Sequence, residues 1–203
     1  MDGADQKSIQ DTLQYYDRNA IEFISNTATV DFTATQTRFL SKLGNGFRIL
    51  DFGCGSGRDT KYFLSQGYQV TATDGSVELC KLASEYTGIS VKHMMFQELE
   101  EREIYDGIWA CSSILHLPFP ELSDVFQRIT AALKKGGVLY TSFKYGSYEG
   151  ERNGRYFTDM TEDRFSAFLK NIKGLALEEQ WVTSDVRPGR GDEKWLNIIL
   201  RKI

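Results

Sequence analysis

Residues 48–57 read Arg48-Ile49-Leu50-Asp51-Phe52-Gly53-Cys54-Gly55-Ser56-Gly57: an apolar run, an acidic residue within it, then three glycines at alternate positions. The apolar run predicts a buried strand. Glycines at its exit let the backbone turn sharply and press against a ligand with no Cβ in the way. Residues 58–66 follow with Tyr62, Phe63 and Leu64 apolar, which predicts a short helix packing one face on a sheet. Strand, glycine loop and helix together are the context in which such a motif marks a cofactor site. The spacing departs from the dinucleotide fingerprint Gly-x-Gly-x-x-Gly, because the sixth position is Arg58. Asp51, just before the loop, would repel a pyrophosphate and attract a cationic ligand. A nicotinamide-dependent oxidoreductase is therefore the least favoured enzyme class.

Outward from this stretch the chain alternates strand and helix. Gly67 ends the helix, and Tyr68–Thr73 reads as a strand arriving at Asp74-Gly75-Ser76, about 20 residues beyond the first glycine, where an acidic strand tip would reach a ribose. Residues 77–86 predict a helix closed by Gly88, 89–96 a third strand, and 106–111 a fourth. The acidic stretch 98–103 reads as a solvated loop or helix face. Pro118 and Pro120 are expected to interrupt regular structure before a helix over 122–133, with Lys134-Lys135-Gly136-Gly137 as its basic last turn and glycine stop. A fifth strand follows over 138–143, then a helix over 161–170, and two last strands over 177–183 and 195–201 flank a polar loop containing Pro188 and Gly189. This order predicts an α/β, doubly wound, Rossmann-like and mostly parallel sheet, with ligands beyond the carboxyl ends of the strands where strand order reverses.

The composition agrees. With 203 residues, 41% hydrophobic and 26% charged, the chain suits one well-buried domain, here expected as a helical lid or cap over 1–45 and a Rossmann-like core over 46–203. A formal net charge of -4 disfavours a surface that wraps nucleic acid. Cys54, Cys80 and Cys111 make no Cys-x-x-Cys pair, and with His93 and His116 as the two histidines no zinc constellation is visible. Scattered thiols, a polar start and no run as long as a membrane span lead to the expectation of a cytoplasmic protein with no metal and no membrane association.

An acidic residue followed by Gly-x-Gly-x-Gly, the strand tip at Asp74 and this element order resemble the class I S-adenosylmethionine-dependent methyltransferases over most of the chain. Within that superfamily, Gly53-Cys-Gly-Ser-Gly-Arg-Asp59 followed by Gly67-Tyr-Gln-Val-Thr-Ala-Thr-Asp74 looks most like small bacterial members near the tellurite-resistance and general small-molecule types. The resemblance implies a seven-stranded sheet closed by a C-terminal antiparallel hairpin, and S-adenosylmethionine as cofactor with S-adenosylhomocysteine as product. It implies that Gly53, Gly55 and Gly57 let the backbone approach the cofactor, with Asp51 near its ammonium end, Asp74 on the ribose hydroxyls, and Gly75 and Ser76 beside the adenosine. Arg58 either pairs with the methionine carboxylate or stays on the surface. The residues after the third strand, Phe96 and Gln97, fall where the family carries an acidic contact to the adenine amino group, and Gln97 offers an amide oxygen instead. Cys111 and Ser112, ending the fourth strand, should lie near the methyl donor, with burial as a small hydrophobe the alternative for Cys111. Tyr15 and Tyr16 sit in an amphipathic N-terminal helix of the kind that folds over the cofactor as a lid, and core packing of both rings is the equal alternative.

The methyl acceptor is less legible. His116 is the best-placed titratable residue if an acceptor hydroxyl must lose a proton. The segment Ser112–Pro118 lacks the Asn/Asp-Pro-Pro-Tyr/Phe motif of methyltransferases acting on adenine or glutamine amides, and no Pro-Cys pair provides the nucleophile of cytosine-C5 enzymes, so DNA is disfavoured. Arg152, Arg155, Arg187, Arg190 and Lys194 either converge as a basic rim for an anionic substrate or are solvated surface charges. The expected partner is a small-molecule acceptor. A methyltransferase of transfer RNA and a cofactor-binding regulatory or partner module without turnover stand as alternatives.

Overall fold

The structure is a computed structural model that describes residues 3–203, without the side chains of Ala4 and Asp5. Three helices come first: α1 (Gly3–Arg18), α2 (Ala20–Thr27) and α3 (Thr33–Leu40). The expected alternation then runs β1 (Arg48–Phe52), α4 (Arg58–Ser65), β2 (Gln69–Asp74), α5 (Val77–Thr87), β3 (Lys92–His93), β4 (Tyr105–Ala110), α6 (Phe119–Ala132) and β5 (Leu133–Lys144). A short hairpin, β6 (Glu149–Arg152) and β7 (Arg155–Thr158), precedes α7 (Glu162–Leu169), β8 (Leu175–Ser184) and β9 (Lys194–Lys202).

Seven strands form one sheet in the order β3-β2-β1-β4-β5-β9-β8. The first five are parallel, while β9 pairs antiparallel with both β5 and β8. This is the doubly wound, mostly parallel seven-stranded sheet expected from the sequence. Strand order reverses between β1 and β4, so a crevice opens beyond their carboxyl ends.

Period-two alternation puts helices on both faces. Ile108, Leu139, Ile198 and Leu200 join Phe126, Phe143 and Phe165 in one layer, whereas Trp109, Tyr140 and Ile199 join Phe39 and Phe63 in the other. Trp109 stacks on Tyr140 with ring centroids 4.0 Å apart and planes 18° from parallel. The N-terminal segment serves both layers and cavity. Phe39 of α3 is fully buried beneath the sheet, whereas α1 packs against α5 and β7.

Several boundaries differ from the sequence expectation. The third strand keeps two residues of the expected eight, because the chain after His93 rises into a short 3-10 turn over Phe96–Glu98 that seats Phe96 edge-on against Phe52. Helix α6 begins at Phe119, with Pro120 in its first turn, where the missing N–H leaves no bond unmade. Lys134-Lys135-Gly136-Gly137 belongs to β5, not to a helix end. A Cβ at Gly137 would stand 2.8 Å from the Lys134 carbonyl oxygen, so glycine permits the tight passage from helix to strand, and Lys134 Nζ bonds Asp106 Oδ1 at 2.8 Å across it. The sequence reading assigns no element to the hairpin β6–β7; Asn153-Gly154 turns it with both residues at positive φ, 51° and 74°, the type I′ requirement.

Candidate functional site

A cavity of about 450 Å³ opens at the reversal point of strand order, within the range of roughly 300–1,000 Å³ usual for small-molecule sites. One half is built by the exits of β1, β2 and β4, the other by α1, the β6–β7 hairpin and the loop between β8 and β9.

In the first half Gly53 and Gly55 line the wall. Gly53 has φ +82° and lies so close to the β4 exit that a Cβ there would stand 2.5 Å from Ser113 Cβ. Ser113 in turn donates to the Phe52 carbonyl at 2.7 Å, which pins the two strand exits together. Asp74, at the tip of β2, accepts from the backbone N–H of Gly55 at 2.8 Å and of Ser76 at 2.9 Å. Burial raises its pKa, against the opposing pull of those backbone donors. Each carboxylate oxygen retains acceptor capacity for a ligand hydroxyl. Gly75, Phe96 and Gln97 also line this half. Gln97 donates to Glu121 at 3.3 Å, and its Oε1 is buried with no hydrogen-bond partner.

Four of the residues expected at the cofactor fall behind the wall, each for a physical reason. Asp51 is 2% exposed and accepts from Thr60 Oγ1 at 2.5 Å; burial, then the nearby Asp59 carboxylate, push its pKa up. Its neighbour Asp59 reaches the cavity instead, as half of an ion pair. It accepts from Arg58 Nε at 2.8 Å and Nη2 at 2.9 Å, from Trp109 Nε1 at 2.8 Å and from Gln36 Nε2 at 2.7 Å. Burial opposes its charge, but these donors hold its pKa low. Gly57 serves helix packing: a Cβ there would meet Thr87 Cγ2 of α5 at 2.6 Å. Ser76 caps α5, accepting from Leu79 N at 3.1 Å and donating to Asp17 of α1 at 2.6 Å. Tyr15 packs edge-on against Tyr16 and lies under the Arg155 guanidinium at 4.4 Å. Arg58 does line the cavity, engaged by Asp59 and over the Phe32 ring at 4.6 Å. Sequence reading passed over Asp59, although an acidic residue in the first turn of the helix after a glycine loop was its visible signal.

Cys111 and Ser112 lie at the boundary of the halves. Burial, then the Asp59 carboxylate, push the Cys111 thiol up to about 12, so it stays neutral. Ser112 has φ +51°, and its N–H donates to Ser142 Oγ at 2.9 Å.

The second half centres on Tyr16 and His116. Tyr16 Oη and His116 Nε2 are 2.8 Å apart, and His116 Nδ1 is 2.6 Å from the Tyr156 carbonyl oxygen. A carbonyl only accepts, so Nδ1 carries the proton and Nε2 accepts from Tyr16. Burial, aided by the positive charge of Arg155, pushes His116 down to about 4. The expected base is thus a neutral acceptor that fixes the Tyr16 hydroxyl, and Tyr16, whose own pKa burial raises against the opposing charge and hydrogen bond of Arg155, lines the cavity.

Arg152, Arg155, Arg187 and Arg190 converge on this half, whereas Lys194 does not line it and bonds Ser184 Oγ at 2.6 Å. Arg152 pairs with Asp159 at 2.5 Å, Arg187 with Asp185 at 2.5 Å, and Lys144 with Glu193. Trp195 donates its indole N–H to Asp185 Oδ2 at 3.1 Å. Among the described residues no group of acidic, histidine and cysteine side chains is arranged to hold a metal, and no helix is long and apolar enough to cross a membrane.

Known proteins share parts of this sequence and its fold. Residues 49–137 match the model of a methyltransferase domain family. An uncharacterised methyltransferase of Staphylococcus carnosus is 25% identical over 138 residues, 63% of this chain and 67% of that protein. A ubiquinone biosynthesis O-methyltransferase of Xanthomonas axonopodis is 32% identical over 104 residues, 48% of this chain and 43% of that protein. The chain thus matches less than half the length of that second relative. Among solved structures, the 1,6-didemethyltoxoflavin N1-methyltransferase of Burkholderia thailandensis, with its substrate and S-adenosylhomocysteine bound, superposes with a TM-score of 0.78 at 21% identity, covering 100% of this chain and 91% of that one.

Proposed function

We propose, from a chain that has the fold of the class I S-adenosylmethionine-dependent methyltransferases, that it transfers the methyl group of S-adenosylmethionine to a small-molecule acceptor. The observation that carries this reading is the single cavity that joins a glycine turn to a second, arginine-lined half. The residues of the first half suit the cofactor. Asp74 has spare acceptor capacity for two ribose hydroxyls, and the unpartnered Gln97 Oε1 would accept from an adenine amino group. Gly53 and Gly55 leave room along the backbone, and the Asp74 carboxylate, which among the described residues accepts only backbone N–H groups, supplies negative charge beside it. Bound there, S-adenosylmethionine supplies an electrophilic methyl group on a sulfonium.

For an in-line displacement the protein aligns the partners and excludes water. The α1 residues Ile9, Leu13 and Tyr16 close the cavity from above, and Tyr16, held by His116, accepts a hydrogen bond from the acceptor and orients it. No group in the second half is poised to take a proton near neutral pH, which favours an acceptor atom already nucleophilic in water. A net charge of -4, with the arginines turned into the cavity, supports a small acceptor over a polynucleotide.

Calorimetric titration of S-adenosylmethionine into wild type and Asp74→Asn, with NAD as control, tests the reading. Wild type is expected to bind the methyl donor and not NAD, and the variant to bind it about 1–3 kcal/mol more weakly, the cost of stranded hydrogen bonds. Equal binding by both proteins removes Asp74 from the site; no binding by cofactor-free wild type overturns the function.

A further inference from the structure

The hairpin β6–β7 places two arginines opposite each other. Arg152 pairs in register with Arg155 across the Asn153-Gly154 turn, so both side chains project from one face, and both line the cavity. Like charges directly opposite on a strand pair repel. For Arg152 the repulsion is offset by Asp159, at 2.5 Å and 3% exposed.

Arg155 has no such counter-ion. Among the described residues no carboxylate lies within 4 Å of it, and its Nε is buried with no hydrogen-bond partner. Its guanidinium is held instead among three rings, 4.4 Å from the Tyr15 centroid, 5.2 Å from Phe157 and 5.8 Å from Tyr16. Aromatic faces stabilise a cation but do not fill its in-plane N–H donors, and beyond a hydrogen bond to the Tyr16 hydroxyl the Nε–H is left without a partner. The other cations of this half each have a carboxylate in reach: Arg187 has Asp185, while Lys144 and Arg190 share Glu193. Among the described residues Arg155 is therefore the cation of this half with no carboxylate beside it, on a side chain already held by rings and with its Nε–H unfilled. That is the arrangement of a preorganised anion receptor.

We infer that Arg155 is the specificity residue of the acceptor half and that the acceptor carries a carboxylate or a like planar anion, held by Arg155 while the aromatic rings flank its apolar body. This rests on the methyltransferase reading for the word acceptor, but not for the anion site itself. The reciprocal signal is steric: Arg155 stands on the same hairpin as Phe157, whose ring packs edge-on against His116 at 4.8 Å, so an anion on Arg155 lies beside the Tyr16 hydroxyl that His116 fixes.

The probes are benzoate and its neutral isostere benzamide, titrated into the full chain with and without S-adenosylhomocysteine. Benzoate is expected to bind wild type about tenfold or more tightly than benzamide. Arg155→Gln is expected to erase that preference and Arg155→Lys to retain part of it, with the melting temperature of each variant recorded to establish that it is folded. Affinity for S-adenosylhomocysteine should change by less than about twofold in both variants, a bound well inside the effect sought on benzoate. A wild type that binds benzoate no better than benzamide, or a preference that survives in Arg155→Gln, overturns the inference. So does a loss of S-adenosylhomocysteine affinity in Arg155→Gln with benzoate unaffected, which would assign the guanidinium to the cofactor's own carboxylate. Wild type that takes benzoate through Arg155 and takes no S-adenosylhomocysteine overturns the cofactor reading and leaves the anion site standing.

Discussion

At the glycine-turn end of the cavity the wall is made by neighbouring strand exits, and the groups that shape it bond to the backbone: Asp74 to Gly55 and Ser76, Ser113 to Phe52. At the far end Tyr16, His116, Arg155 and Arg187 arrive from four distant segments, and carboxylate side chains match Arg152 and Arg187 but not Arg155. The first end is a consequence of β-sheet geometry, so little can change there without disturbing the sheet. The second is assembled on a hairpin and a loop that the sheet does not need, and its residues are free to vary with the acceptor.

The most damaging change at the sheet-built end should be Gly53→Ala. With φ +82° and a new Cβ 2.5 Å from the backbone-anchored Ser113 Cβ, neither side can give. Denaturant unfolding is expected to register a loss of about 2–4 kcal/mol, together with loss of S-adenosylhomocysteine binding. A stable variant with normal affinity would mean that the two strand exits are looser than their contacts indicate.

Next in size is a pH effect at the far end. Burial pushes His116 down to about 4 when folded, against an ordinary value of 6.5. Between those values the unfolded chain binds the proton and the folded chain does not. Stability from this group is therefore complete above pH 6.5 and falls as pH drops toward 4, by about 2 kcal/mol between pH 7.5 and 5. Unfolding midpoints of wild type and His116→Gln at the two pH values measure it: the variant should start lower and lose less. Equal slopes would place His116 in contact with water.

The smallest expected effect belongs to Gly154→Ala, the hairpin's counterpart of Gly53. Here φ is +74°, but the nearest atom, Tyr15 Cδ2, is 3.2 Å away on a side chain that can yield. The cost should be about 1 kcal/mol, mainly from the left-handed backbone, with S-adenosylhomocysteine affinity unchanged by calorimetry and benzoate affinity reduced. A drop in cofactor affinity would erase the distinction between the two ends.

The same division governs what could be read from the sequence. Strands β1, β2, β4 and β5, the glycine turn and Asp74 follow from contiguous patterns, because alternation, apolar runs and glycine spacing are local. The role of Asp51 was not local. Its carboxylate faces Thr60 and Asp59 through the packing of α4 against the sheet, and only that packing reveals that Asp59 reaches the cavity. His116 was found by its place after β4, but its neutrality depends on Tyr16, Tyr156 and Arg155, which lie 100, 40 and 39 positions away along the chain. The hairpin had a local signal, Asn153-Gly154, yet the flanking arginines break the apolar alternation that usually accompanies it.

Two arginine-bound carboxylates of the cavity wall also accept an indole N–H: Asp59 from Trp109 at one end, Asp185 from Trp195 at the other. The third tryptophan, Trp181, lies under Arg38 on the outer strand. A ligand that draws Arg58 or Arg187 off its carboxylate alters the polarity around one ring and leaves the other unchanged. The molecule thereby carries two native chromophores, one per ligand, and their emission can report the order in which the two ends fill without any label being attached.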